Sequence, residues 1–156
     1  MNLNIEKTEA KKLFPECPEW FQKILKENFG ENVFKKRSWN EITTYEIACE
    51  ECPVDDDDKI YDTDAPHIVS LKKLDHITKV VNGDWKADIY NTNQKKWYQI
   101  FKVLASGSGF DFAGSVSVCD ISYSGVGSRL SCETEEKSDF IGKQYLDLFK
   151  SIIIKK

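Results

Sequence analysis

The first clear period in the chain falls at Trp20, Phe21, Ile24, Leu25 and Phe29, apolar residues that recur every three to four positions with polar residues between them. Pro18 suits a first helical position and Gly30 a stop, so the pattern predicts a helix between them. A short second helix is expected after Thr43, which stands three residues before Glu46 in capping-box spacing. It carries Ile47, Ala48 and Cys49 to about Glu51, and Pro53 discourages continuation. The longest stripe, Ile68, Leu71, Leu74, Ile77 and Val81, predicts a third helix. Asp64 is its expected cap, Pro66 lies in its first turn and Asn82-Gly83 supplies a left-handed exit. A fourth helix begins after Thr134, with acids in its first turn that suit the positive end of the helix dipole. Its stripe is Ile141, Tyr145, Leu148, Phe149 and Ile152.

Between the third and fourth helices the period changes. Residues 97–132 hold most of the glycines, no proline, and short runs of Val, Ile, Phe and Tyr. This predicts strands at about 97–104, 109–113, 116–123 and 127–132, joined by glycine-bearing turns. On the first strand, alternation puts Trp97, Gln99, Phe101 and Val103 on one face and Tyr98, Ile100, Lys102 and Leu104 on the other. Both faces are largely apolar, which suits a strand covered on both sides. The expected class is α+β, a small antiparallel β-meander flanked by about four helices. A single domain over 1–156 is expected, with a helical N-terminal extension at 1–37.

Bulk properties narrow the function classes. A chain of 156 residues is about one domain long, and it buries enough surface to fold without metal or disulfide. A net charge of −4 argues against a general nucleic-acid binder, whose footprint is a basic surface. "MNLNIEKTEAKK" offers no signal-peptide core. The apolar run Ile152–Ile154 is far too short to span a bilayer. A cytoplasmic protein with no membrane partner is therefore expected, with Cys17, Cys49, Cys52, Cys119 and Cys132 reduced.

Several short patterns invite specific chemistry. "CEEC" at 49–52 has the spacing of a zinc half-site or a redox pair. It lies at a helix end, with only His67, His76, Cys119 and Cys132 to complete a metal site, so two small core hydrophobes are the favoured reading. "DDDDKIYDTD" at 55–64 lacks the glycine and terminal glutamate of an EF-hand and reads as a solvated acidic loop. Such a loop should be cut by proteases after Lys59. His67 and His76 fall on opposite sides of the third helix. Asp84 and Asp88 could form a carboxylate pair, but Asp84 beside the helix exit reads more readily as a turn former. "SGVGSR" at 124–129 leads into a strand and lacks the Lys-Ser or Lys-Thr of a phosphate loop, which leaves Arg129 to meet a carboxylate or an acidic partner. No metal and no cofactor is expected.

The densest aromatic-basic stretch is "NQKKWYQIFKV" at 93–103. A single-strand binder displays aromatics on one open face with lysines among them. Here Lys95 and Lys96 precede the strand instead, so a core role is favoured for the aromatics. Asn93, Gln94, Lys95, Lys96, Trp97, Tyr98 and Arg129 are the candidate partner contacts.

From Asp84 to Leu148 the chain also resembles a family of small uncharacterised proteins of anaerobic gut bacteria and their phages or prophages. The resemblance rests on "NGDW" at 82–85, Asp88, "NQKKWYQIF" at 93–101, "SGFDF" at 108–112, "GVGSRLSC" at 125–132 and "GKQYLDLFK" at 142–150. "TYEIACEE" at 44–51 is similar to the family's short helix, whereas residues 1–37 show no likeness. The resemblance implies a mobile-element origin and brings no established activity or ligand. It also implies an apolar residue at the position of Cys52, which speaks against a metal role for the Cys49/Cys52 pair.

Three functional readings follow, in this order. The first is a non-enzymatic interaction or accessory module with a protein partner. The second is a single-stranded nucleic-acid-binding accessory using Lys95, Lys96, Lys102, Arg129 and Trp97, with salt-dependent affinity. The third is an enzyme of unknown class, which requires an acid and a base converging near Arg129.

Overall fold

In the computed structural model, residues 4–104, 109–120 and 127–154 are described. They fall into two units, Met1–Arg37 and Ser38–Lys156.

The N-terminal unit contains α1 (Lys7–Leu13) and α2 (Glu19–Phe29), each followed by a 3-10 turn. Pro18 caps α2, as its fixed φ suits, and Gly30 ends it at φ 87°, a conformation that favours glycine. Ala10 and Leu25 are fully buried, and Phe34 stacks on Phe14 at 4.3 Å. The α1 helix carries no side-chain cap and has no clear apolar period to announce it.

The second unit is built on α4 (Pro66–Asn82). Its stripe buries Leu74, Ile77 and Val81 against Ile42, Ala48, Phe110, Leu130, Cys132, Ile141, Tyr145 and Phe149. Ahead of α4 lies α3 (Tyr45–Glu51), capped by Thr44, whose hydroxyl accepts the Ile47 amide at 3.2 Å. The cap is thus one residue later than Thr43. Thr44→Ala should lose about 1 kcal/mol, read by thermal denaturation, and Thr43→Ala about nothing. A loss at Thr43 equal to that at Thr44 would contradict this capping. Asp64 does not cap α4 either; Ala65 holds that position, and the Asp64 carboxylate instead accepts the Tyr61 amide and the Lys72 ammonium.

The predicted fourth helix is two helices, α5 (Glu135–Gln144) and α6 (Leu146–Ile153). Thr134 caps the first through the Lys137 amide. The break falls at Tyr145, whose φ of −115° and ψ of 30° leave the helical region. Tertiary anchors on both sides of the break accompany it. The Tyr145 hydroxyl donates to the Ile42 carbonyl, and the Gln144 amide donates to the Thr43 carbonyl at 2.9 Å.

The fold is α+β, with six helices and a two-stranded antiparallel sheet among the described residues. Strands β1 (Lys96–Val103) and β2 (Phe110–Val118) pair from Lys96↔Val118 to Val103↔Phe110. The expected strands at 109–113 and 116–123 are largely one strand, and residues 121–123 lie outside the described set. Gly114, expected in a turn, instead sits at a bulge with φ 141° opposite the Ile100/Phe101 step. The extra residue keeps Phe112 opposite Phe101. The expected strand at 127–132 forms a turn over 127–130, and its backbone pairs with the sheet at the Trp97↔Cys132 bridge. Among the described residues, a two-stranded sheet plus one bridge therefore stands where the four-stranded meander was expected.

The α5 helix lies against one sheet face. Gly142 sits where any Cβ would enter the Phe112 ring, so the approach of helix to sheet requires glycine there. Phe101 fills the same layer, 5.1 Å from Phe110 and 4.5 Å from Phe149. Among the described residues no helix is long and apolar enough to cross a membrane.

Candidate functional site

The stretch that enters β1 divides sharply between inside and outside. Lys96 is 1% exposed, and its ammonium donates to the carbonyls of Asn91, Gln94 and Cys119 at 3.2, 3.1 and 3.3 Å. It was expected to reach a partner. Instead its charge is spent on three carbonyls of its own chain, which is what allows it to be buried. Tyr98 is 3% exposed and is likewise withdrawn from any surface. Trp97 packs partly buried against the core, as its alternation with Phe101 predicts. Asn93 and Lys95 remain exposed.

Gln94 is half-buried and holds the preceding loop together. Its carbonyl oxygen accepts the Asp88 amide at 2.6 Å and its amide donates to the Lys86 carbonyl at 2.9 Å. Two Asx turns tighten the same loop, with Asp88 Oδ1 accepting the Tyr90 amide and Asn91 Oδ1 accepting the Asn93 amide. Asp88 is thus a turn former, a role that the sequence reading gave only to Asp84. The residues presented between these turns are Ile89 and Tyr90, 48% and 89% exposed. Sequence reasoning passed over both. The signal was the run "DIYNTN" at 88–93, two apolar residues enclosed by Asx-turn formers.

Arg129 is exposed and donates to Asp75 Oδ2 on α4 at 2.8 Å. With Trp97 packed on the core, Tyr98 buried and Arg129 on Asp75, the three share no open groove.

Asp75 belongs to a polar cluster that the sequence did not reveal. The 3-10 turn Asp56–Asp58 packs on α4 and buries Asp58 to 6% exposure, while Asp55, Asp56 and Asp57 stay exposed. The solvated-loop reading holds for three of these four acids and fails for Asp58. Asp58 is near enough for its charge to act on Asp75, and its Oδ1 has no hydrogen-bond partner among the described residues. Burial, then the Asp58 charge, push the Asp75 carboxyl up to about 6, against the pull of Arg129. Next to Asp75 in sequence, His76 is fully buried, and neither ring nitrogen has a hydrogen-bond partner. Burial holds its imidazole below its ordinary value. The Tyr45 ring stands edge-on to it at 5.9 Å, and burial followed by a Cys49 hydrogen bond pushes the Tyr45 hydroxyl up to about 12.

Metal binding has no support among the described residues, where no three His, Cys, Asp or Glu side chains converge. All five cysteines are free thiols, and burial pushes the Cys132 thiol up to about 12, which makes it a poor nucleophile. His67 is exposed and His76 buried, consistent with their opposite placement on α4. One serine has a carboxylate neighbour: the Ser115 hydroxyl lies 2.8 Å from both Ser138 Oγ and Asp139 Oδ1. Lys143 in turn bonds Asp139 Oδ2 at 3.0 Å. No imidazole joins that group, and it serves to fasten β2 to α5.

Comparisons with protein-family models, with curated proteins and with solved structures find no match for the chain.

Proposed function

We propose that this protein is a non-enzymatic interaction module that binds another protein through the Ile89–Tyr90 loop, an accessory protein of mobile-element origin as the resemblance at 84–148 implies. The observation that carries the reading is a Tyr that is 89% exposed on a loop held by the buried Lys96 and by Gln94. A pre-ordered loop loses little entropy on binding, and tyrosine gives a large contact area with few rotatable bonds. Asn93 and Lys95, exposed beside the tip, supply polar rim contacts.

Tyr90→Ala should leave thermal stability within about 0.5 kcal/mol, because the side chain is in water. The same change should remove the partner recovered when a photo-crosslinker replaces Ile89 in the native host. Retention of that crosslinked species in the Tyr90→Ala background would refute the loop as the binding element.

The second reading, a single-strand binder, loses Lys96 from its basic set but keeps Lys95, Lys102 and Arg129 at the surface. It predicts binding to oligonucleotides at low salt that weakens steeply as salt rises.

A further inference from the structure

We propose that the outer edge of β1 is a self-association surface, along which Gln99 to Val103 pair antiparallel with the same residues of a second copy of this chain. The directions of the backbone groups carry the inference. In an antiparallel ladder, successive residues turn their N–H and C=O to opposite sides of the strand. Trp97 exchanges both of its bonds with Cys132 and so points away from β2. Leu104 donates to the Gly109 carbonyl, on the side of β2, at 2.9 Å, so the alternation keeps its phase to the end of β1. The extra residue of the bulge lies in β2 and leaves β1 regular. Gln99, Phe101 and Val103 therefore turn their backbone groups outward, and among the described residues no other backbone group meets them.

An open edge is a template for another strand, and proteins guard it with proline, with a bulge in the edge strand or with charge. Strand β1 has no proline, and its neighbour holds the bulge. The charge of Lys102 is offset by Asp111 on the inner strand, 4.0 Å away. Exposed apolar side chains gather on the same stretch, with Ile100 at 43%, Val103 at 68% and Leu104 at 41%. Beyond the Trp97↔Cys132 bridge, the turn at 127–130 forms no further pairing with β1.

A second copy is the occupant because this stretch complements itself. A twofold axis through Phe101 sets Gln99 opposite Val103 of the other copy and Ile100 opposite Lys102. Outward residues then meet only outward residues, for about six backbone hydrogen bonds in all. The aliphatic stem of each Lys102 covers an exposed Ile100, while its ammonium keeps Asp111. The neighbouring registers fit less well. A shift one way sets the two Lys102 side chains directly opposite each other, which is repulsive. A shift the other way calls on Trp97, whose outward groups already serve Cys132.

Sedimentation velocity on the full chain, from low micromolar to near-millimolar protein, should show a monomer–dimer equilibrium. In hydrogen exchange, the amides of Gln99, Phe101 and Val103 should gain protection only in the dimer, whereas those of Ile100 and Lys102 face β2 and stay protected throughout. Val103→Pro removes an outward N–H and no ladder bond, so it should fold and weaken dimerisation by about tenfold or more. Ile100→Lys brings ammonium groups together across the twofold and should weaken it similarly. Ile100→Glu faces Lys102 instead and should keep the dimer, with an affinity that falls as salt rises. These two surface changes decide the matter if Val103→Pro does not fold. A monomer at every concentration, or a dimer unaffected by Val103→Pro and Ile100→Lys, would overturn the proposal. Protection of the three outward amides in the monomer would overturn it too, since the chain would then cover its own edge.

Discussion

Phe101→Ala should lose about 3–5 kcal/mol of stability, the range for deleting a large core aromatic. Phe101 is the hub of an aromatic layer that joins both strands to α6. Its ring stacks on Phe110 at 5.1 Å with an interplanar angle of 14°, meets Phe112 edge-on at 6.0 Å and touches Phe149 at 4.5 Å. Alanine would leave three rings facing a void that none of them can close, because Phe110 and Phe112 are tied by strand register and Phe149 by its helix. Urea denaturation measures the loss as a fall in midpoint at unchanged slope. A loss near zero would show the layer to be dispensable and would return "WYQIF" to consideration as an exposed ligand platform.

The second large effect is expected at Lys96. Lys96→Met keeps most of the buried aliphatic stem and removes only the ammonium, so the change isolates its three hydrogen bonds. Hydrogen bonds to a charged donor are among the stronger ones, and the three carbonyls would have to find water at a strand end. A loss of about 2–4 kcal/mol is expected. With a chain of this size that corresponds to a fall in Tm of several degrees in a thermal melt. The amides of Asn91 to Gln94 should exchange faster with solvent in the same variant, since the ammonium joins Asn91 and Gln94 to Cys119, which follows the strand partner of Lys96. Unchanged exchange with unchanged Tm would mean that the loop holds its shape without Lys96. The Ile89–Tyr90 tip would then no longer count as pre-ordered.

These two residues sit five positions apart in the stretch that drew attention from the sequence, and they show two limits on what a sequence reveals. Phe101 was legible because period-2 alternation is a local property, and the residue's place on the core face follows from its neighbours. Lys96 was misjudged because nothing local distinguishes a lysine that reaches solvent from one that turns back onto carbonyls. Two of those carbonyls belong to the preceding loop, but the third comes from Cys119, across the hairpin. The same contrast holds for the acids. Asp55, Asp56 and Asp57 met the expectation for a charged run, while Asp58 was decided by the packing of its 3-10 turn on α4.

The sequence by itself determined the α+β class, the helices α2 and α4 and the apolar face carrying Trp97 and Phe101. Each follows from periodicity, a pattern a few residues in range. Tertiary structure alone decided that the fourth helix breaks at Tyr145, where Ile42 and Thr43 provide partners about a hundred positions away. It also decided that Gly114 makes a bulge where a turn was expected, because the register with Phe101 needs one extra residue in β2. The burial of Asp58 against α4 and the presentation of Tyr90 belong to the same category. They depend on which distant groups meet, and no local pattern encodes that meeting.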